Sequence, residues 1–210
     1  TLSFWDFAPM LYTFTTTGDW DLASNWFQNI LPSATDNIIV STNQTLTLNG
    51  SRTINDVQIA SPGGIIIVAT DVFTVNGDCD IDGTITVTTG TVDVDGEFDA
   101  SGGFVTFTGA GELIVDSTVT SLGTLTDNAG KVTYNGATAQ TIVAGAYSSL
   151  KASDAAGTKT LGGAVTVAGN LIIDPVVTIA MDTHDLSVTN TTDINGTLAV
   201  ADNTLTLDGT

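Results

Sequence analysis

The sequence predicts an all-β fold, a right-handed parallel β-solenoid (β-helix) whose coils run to about 20 residues. Three observations carry this: strict two-residue alternation of apolar and polar side chains, its return at a near-constant interval, and the near absence of helical periodicity. In the clearest strand Phe73, Val75, Gly77, Cys79 and Ile81 occupy one face, and Thr74, Asn76, Asp78, Asp80 and Asp82 the other. The pattern returns at Val92, Val94, Gly96 and Phe98, at Val165, Val167, Gly169 and Leu171, at Leu186, Val188, Asn190 and Thr192, and at Leu205 and Leu207.

Aligned on a β-x-Gly step, the chain reads Val75-Asn76-Gly77, Val94-Asp95-Gly96, Val115-Asp116-Ser117, Tyr134-Asn135-Gly136, Val167-Ala168-Gly169, Val188-Thr189-Asn190 and Leu207-Asp208-Gly209. Most steps are roughly 19 to 21 residues, and one double-length gap leaves room for a further coil near Leu150. A unit this short cannot bury its own apolar face, so it must stack on copies of itself. A β-sandwich is the competing fold, but its strands are normally joined by tight hairpins. Here the corners are single Gly, Asn-Gly or Asp-Gly, and the half-period pattern Asp80-Gly83-Thr84-Val87 recurs as Asp193-Gly196-Thr197-Val200. The one stretch with helical character, residues 146–157, is short. We divide the chain into an N-terminal apolar segment and cap, residues 1–40, and one continuous run of coils, residues 41–210.

The composition bounds the partners. Twenty-three acidic residues face only Arg52, Lys131, Lys151 and Lys159, for a net charge of −19, so phosphate backbones and anionic membranes are repelled and no nucleic-acid partner is expected. No stretch approaches the ~20 apolar residues of a membrane-spanning helix, so no membrane insertion is expected. With a single cysteine, Cys79, no internal disulfide framework forms, and alternation points that thiol inward as a small core residue. The acidic, lysine-poor surface suits an extracellular protein. No basic n-region precedes an apolar stretch, so no intact signal peptide is expected.

The segment from Val132 to Ile173 resembles a repeat of bacterial secreted and cell-surface β-solenoids, adhesin-like proteins, through Tyr134, Asn135, Gly136, Gln140, Thr141, Ile142, Tyr147, Leu150, Gly157, Thr158, Lys159, Thr160, Leu161, Val167, Gly169, Asn170 and Leu171. More loosely, residues 18–40 are similar to the Trp…Asn-Trp…Pro…Asp opening of such domains. Together the two cover about a third of the chain. The resemblance implies location and fold, a bacterial cell surface and a parallel β-helix, far more than an activity. The apolar start, residues 2–14, has no counterpart in it.

Asp78, Asp80 and Asp82 open like an EF-hand calcium loop, yet the twelfth position, where a bidentate Glu belongs, is Thr89. The coil period offers another reading, because a step of 19 stacks Asp78 on Glu97 and Asp80 on Asp99. Carboxylates ~5 Å apart repel by roughly 0.8 kcal/mol even in water. Either the side chains splay into solvent or cations bind between coils, which makes Asp78, Asp80, Glu97 and Asp99 the candidate ligands of weakly bound calcium; no other cofactor is expected.

Catalysis finds little support. β-Helical enzymes acting on acidic polysaccharides pair carboxylates with Arg or Lys, and Arg52 is the only arginine. The single histidine, His184, has no serine elbow nearby, and pairs such as Asp93 and Asp95 are too common here to be specific. Trp5, Trp20 and Trp26 crowd the first 26 residues, where aromatic residues either cap an exposed core or form a sugar platform, so surface glycans stay in view as partners. We therefore expect a non-enzymatic extracellular subunit of a surface fibre, filament or adhesin, joined head to tail as a homopolymer. Leu2, Phe4, Trp5, Phe7, Met10, Leu11, Tyr12 and Phe14 are the apolar residues of one end, and Leu205 and Leu207 those of the last repeat.

Overall fold

The computed structural model describes residues 9–153 and 157–208. It is a parallel β-solenoid with three faces. Each coil lays one short strand on each face, and within a sheet each strand pairs in parallel with its counterparts in the adjacent coils, as in Thr84–Val87 between Gly64–Ile67 and Phe104–Phe107. The only helical turn among the described residues is a 3-10 turn at Ala23–Asn25.

The third face is one eight-stranded sheet running from Arg52–Ile54 to Thr192–Ile194, so eight coils are complete. The first face holds a six-stranded sheet from Leu11–Phe14 to Val119–Ser121 and then a separate four-stranded one that starts at Gln140–Ile142. The second face repeats the division, six strands from Gly18–Asp19 to Thr124–Asp127, then four from Gly145–Tyr147 to Leu205–Leu207. Both faces are thus interrupted at one level, while the third runs past it.

Alternation decides what is buried. Leu46, Ile65, Ile85 and Val105 stack in one inward row and Leu48, Ile67, Val87 and Phe107 in the next. Each such aliphatic side chain contributes about 1.5–3 kcal/mol by leaving water. Cys79 sits in the inward row of Val57 and Phe98, as its place in the alternation requires, and burial, with Asp80 and Asp78 beside it, pushes its thiol far above the ordinary range. The corners need glycine where coils stack backbone on backbone: a Cβ on Gly83 would lie 2.2 Å from the carbonyl oxygen of Gly63, and one on Gly196 2.3 Å from that of Val177.

The β-x-Gly alignment conceals a change of face. Val75, Val94, Val115 and Tyr134 do share one row of the third face, but the row continues through Ala152, Ile173 and Ile194. Val167, Val188 and Leu207 belong to the second face. The coil expected in the double-length gap is there, with Leu150 between Val132 and Leu171. In the stretch 146–157, residues 146–147 and 149–152 lie in strands, not helix, and 154–156 lie outside the described residues.

Trp20 and Trp26 close the first coil. Both are buried, their rings 4.9 Å apart and edge to face, with Phe14 and Tyr12 on Trp26 and Phe73 on Trp20. The Trp26 indole N–H donates to the Trp20 carbonyl at 2.9 Å. The outer edge of Leu11–Phe14 is covered as well: the Phe27 N–H donates to Thr13 O, the Thr15 N–H to Asn25 O, and the Gln28 amide bridges Thr13 N and Leu11 O.

Candidate functional site

Asp80 and Asp99 stand directly opposite each other on the first face, as the 19-residue step requires. Asp78 reaches its neighbour differently, its Oδ1 accepting the Glu97 N–H at 2.8 Å while its own N–H donates to Asp56 Oδ1. Each of the other three acids has a protein partner too: Gln58 donates to Asp80 Oδ2, the Thr120 hydroxyl to Glu97 Oε1, and Ser101 to Asp99 Oδ1 through both its N–H and hydroxyl. The four acids with Cys79 line a shallow open depression. They are spread along a strand face as a row, held by local hydrogen bonds.

A tighter acidic group lies on the third face and its adjoining corner. One carboxylate oxygen each of Asp93, Asp95 and Asp116 lies within 4.8 Å of the others, the only such group of three among the described residues. Burial holds the Asp93 carboxyl above its ordinary range, with Asp116, Asp95 and Glu112 adding to the effect. The Asn135 amide donates to Asp116 Oδ1 at 2.9 Å. Three oxygens at this spacing suit either a shared proton or a hard divalent cation. Asp93 and Asp95 were visible as a pair in one strand; Asp116 was legible only through the coil alignment, where Val115-Asp116-Ser117 falls on Val94-Asp95-Gly96.

The basic residues are committed to structure. Arg52 pairs with Asp21 at 2.5 Å, Lys131 with Glu112 at 3.1 Å and Lys151 with Asp174 at 2.9 Å. Lys159 is wholly buried, donating to the carbonyls of Gly136 and Thr138 and to Gln140 Oε1. His184 sits in a corner, its N–H donating to Met181 O.

The two ends carry most of the exposed apolar surface. Leu2, Phe4, Trp5 and Phe7 lie outside the described residues; Met10 and Leu11 are half exposed, while Tyr12 and Phe14 are interior to the cap. Phe27, 74% exposed, and Ile30 add to the same end. At the other end Leu205 is half-buried against the core, with Ile194 39% and Leu207 43% exposed.

Comparison of the chain with protein-family models, curated proteins and solved structures finds no match.

Proposed function

We propose that the chain is a non-catalytic extracellular structural protein, a β-solenoid subunit of a bacterial surface fibre or adhesin that associates with itself end to end. The observation that carries this reading is the distribution of apolar surface. Ile194, Val200 and Leu207 lie open on the final described coil, and Phe27, Met10, Leu11 and Ile30 on the first. The six acids Asp78, Asp80, Asp93, Asp95, Glu97 and Asp99 lie in the intervening coils. The outer edge of Leu11–Phe14 is covered by Asn25, Phe27 and Gln28, so the contact at that end is made by the exposed side chains, and a contact between unlike ends does not close, so it propagates. The resemblance to bacterial surface repeats supports the location.

Sedimentation velocity and negative-stain microscopy test it. The intact chain should assemble with rising concentration, while Ile194→Glu with Leu207→Glu, or Phe27→Asp alone, should stay monomeric with an unchanged circular dichroism spectrum. A chain that remains monomeric at its highest soluble concentration, or variants that assemble as well as the parent, would rule the reading out.

One observation favours a second reading, a carbohydrate-binding module. On the second face the outward rows of the middle coils are uncharged: Thr45, Gly64, Thr84, Phe104 and Thr124 in one, Ile66, Thr86, Thr106 and Thr126 in the other, with Phe104 half exposed. An aromatic ring among hydroxyls suits a neutral sugar, and saturable binding of a neutral oligosaccharide that is lost in Phe104→Ala would establish it.

A further inference from the structure

The interruption of two faces leaves a cleft in the side of the solenoid. On the second face Thr124–Asp127 ends one sheet and Gly145–Tyr147 begins the next, and among the described residues neither strand has a hydrogen-bonded neighbour on the side that faces the other. A cavity of about 360 Å3 lies between them, lined by Leu122, Leu125, Val143, Ala146 and Tyr147 among others.

The backbone directions can be read from the pairing on the far sides. Thr124 N–H donates to Gly103 O, so alternation turns the N–H and C=O of Leu125 and Asp127 toward the cleft. Gly145 N–H donates to Ala164 O and Tyr147 O accepts from Ala168 N–H, so the N–H and C=O of Ala146 face the cleft from the opposite wall. Side chains satisfy part of this broken rung. The Asp127 carboxylate accepts the Ser148 N–H at 2.6 Å, and the Tyr134 and Tyr147 hydroxyls take the N–H and C=O of Val143 at 3.0 and 2.6 Å. Among the described residues, Leu125 and Ala146 have no such substitute. The floor is apolar: Leu125 and Val143 are only half-buried, whereas the same inward row one coil below holds a wholly buried Val105.

We propose that this cleft is a docking site for an extended polypeptide segment of a partner protein, which adds as a parallel strand between Thr124–Asp127 and Gly145–Tyr147. The N–H and C=O groups of Leu125 and Asp127 on one wall and of Ala146 on the other, aimed into the same cleft, match a peptide backbone. The apolar floor selects a segment with an apolar side chain at every second residue, and the net charge of −19 disfavours an acidic one. The site lies on the side of the solenoid, so its occupancy is independent of end-to-end association.

The test uses the full chain and a labelled peptide of the protein's own middle strand, Gly-Thr-Ile-Thr-Val-Thr-Thr-Gly (residues 83–90), followed by fluorescence anisotropy and amide hydrogen exchange. Binding should saturate, and the amides of Leu125 and Ala146, fast in the free protein, should slow about tenfold or more on addition of the peptide. A peptide with proline at its Ile and Val positions, and the Ala146→Pro variant, should each bind about tenfold more weakly, since each loses ladder hydrogen bonds in a desolvated setting. Absence of saturable binding, equal binding of both peptides, or protection of both amides in the free protein overturns the proposal. So does displacement of the peptide by a neutral hexasaccharide, which would assign the cleft to glycans. Should Ala146→Pro fail to fold, the exchange measurement on the unaltered chain decides alone.

Discussion

At the scale of single residues, the energetics are dominated by carboxylates that the fold brings together. Asp93 is held above the ordinary range of about 4 by burial first and by Asp116, Asp95 and Glu112 after it; Asp127 is raised as well, because burial outweighs the hydrogen bonds from the Ser148 and Gly130 N–H groups. A carboxyl whose folded pKa is raised favours the folded state when protonated, and that contribution is lost as pH rises through the raised value. Asp36 and Asp174 run the other way. Burial pushes both up but is outweighed, for Asp36 by hydrogen bonds from the Ser33 hydroxyl and N–H and the Met10 N–H, and for Asp174 by Lys151 and Ser153. Their contribution is present above the ordinary range and lost below it. Stability should therefore rise as pH falls through the raised values toward the ordinary carboxylate range of about 4 and decline below it. Thermal melts across this range check it, and Asp93→Asn should raise the melting midpoint at pH 7 by about 2 °C, allowing for solvent screening, while flattening the acid-side rise.

At the scale of elements, the interior of the interrupted region is polar where the middle coils before it are apolar. Gln140 and Lys159 face each other in register, in an inward row that continues to Ile179. The Gln140 amide donates to Val115 O and Ser117 O at 3.0 and 2.7 Å, its Oε1 accepts from Gly136 N–H at 2.8 Å and Lys159 at 2.7 Å, and the staple so formed ties the strands after the break to those before it. Lys159→Met should cost about 3 kcal/mol in chemical denaturation, because the carbonyl of Gly136 and the Gln140 oxygen stay buried with one donor fewer. A loss below ~1 kcal/mol would show that the staple is dispensable. This region also marks the limit of what the chain discloses before folding. Alternation announced strands such as Phe73–Val75 and the core place of Cys79, since side-chain direction in a strand is a local property. Which of three faces a strand joins depends on the lengths of the corners between strands. That is why Val167 lined up with Tyr134 in sequence while Ala152 took the next place in space. The row of Asp80 and Asp99 follows the 19-residue step; the group of Asp93, Asp95 and Asp116 was half hidden because its two coils are joined by a step of 21.

At the scale of the whole molecule, six strands and then four on the first face make ten levels, which at ~4.8 Å per level give a rod of about 45 Å. A charge of −19 spread over so small a body opposes any contact between copies. The apolar ends act at van der Waals range, while the repulsion between two rods placed end to end extends over the Debye length, about 10 Å at 0.1 M salt and 30 Å at 0.01 M. At low salt the acids of several coils in each copy lie within reach of the other; at ~0.5 M only those of the terminal coils do. End-to-end association should therefore strengthen steeply with sodium chloride. A contact built from ion pairs would weaken over the same range. Sedimentation velocity from ~0.01 M to ~0.5 M salt separates the two, and the double variant Ile194→Glu with Leu207→Glu supplies the control, because it should remain monomeric throughout. Assembly that falls as salt rises would mean that copies meet through charged faces, and the apolar ends of the solenoid would then need another partner.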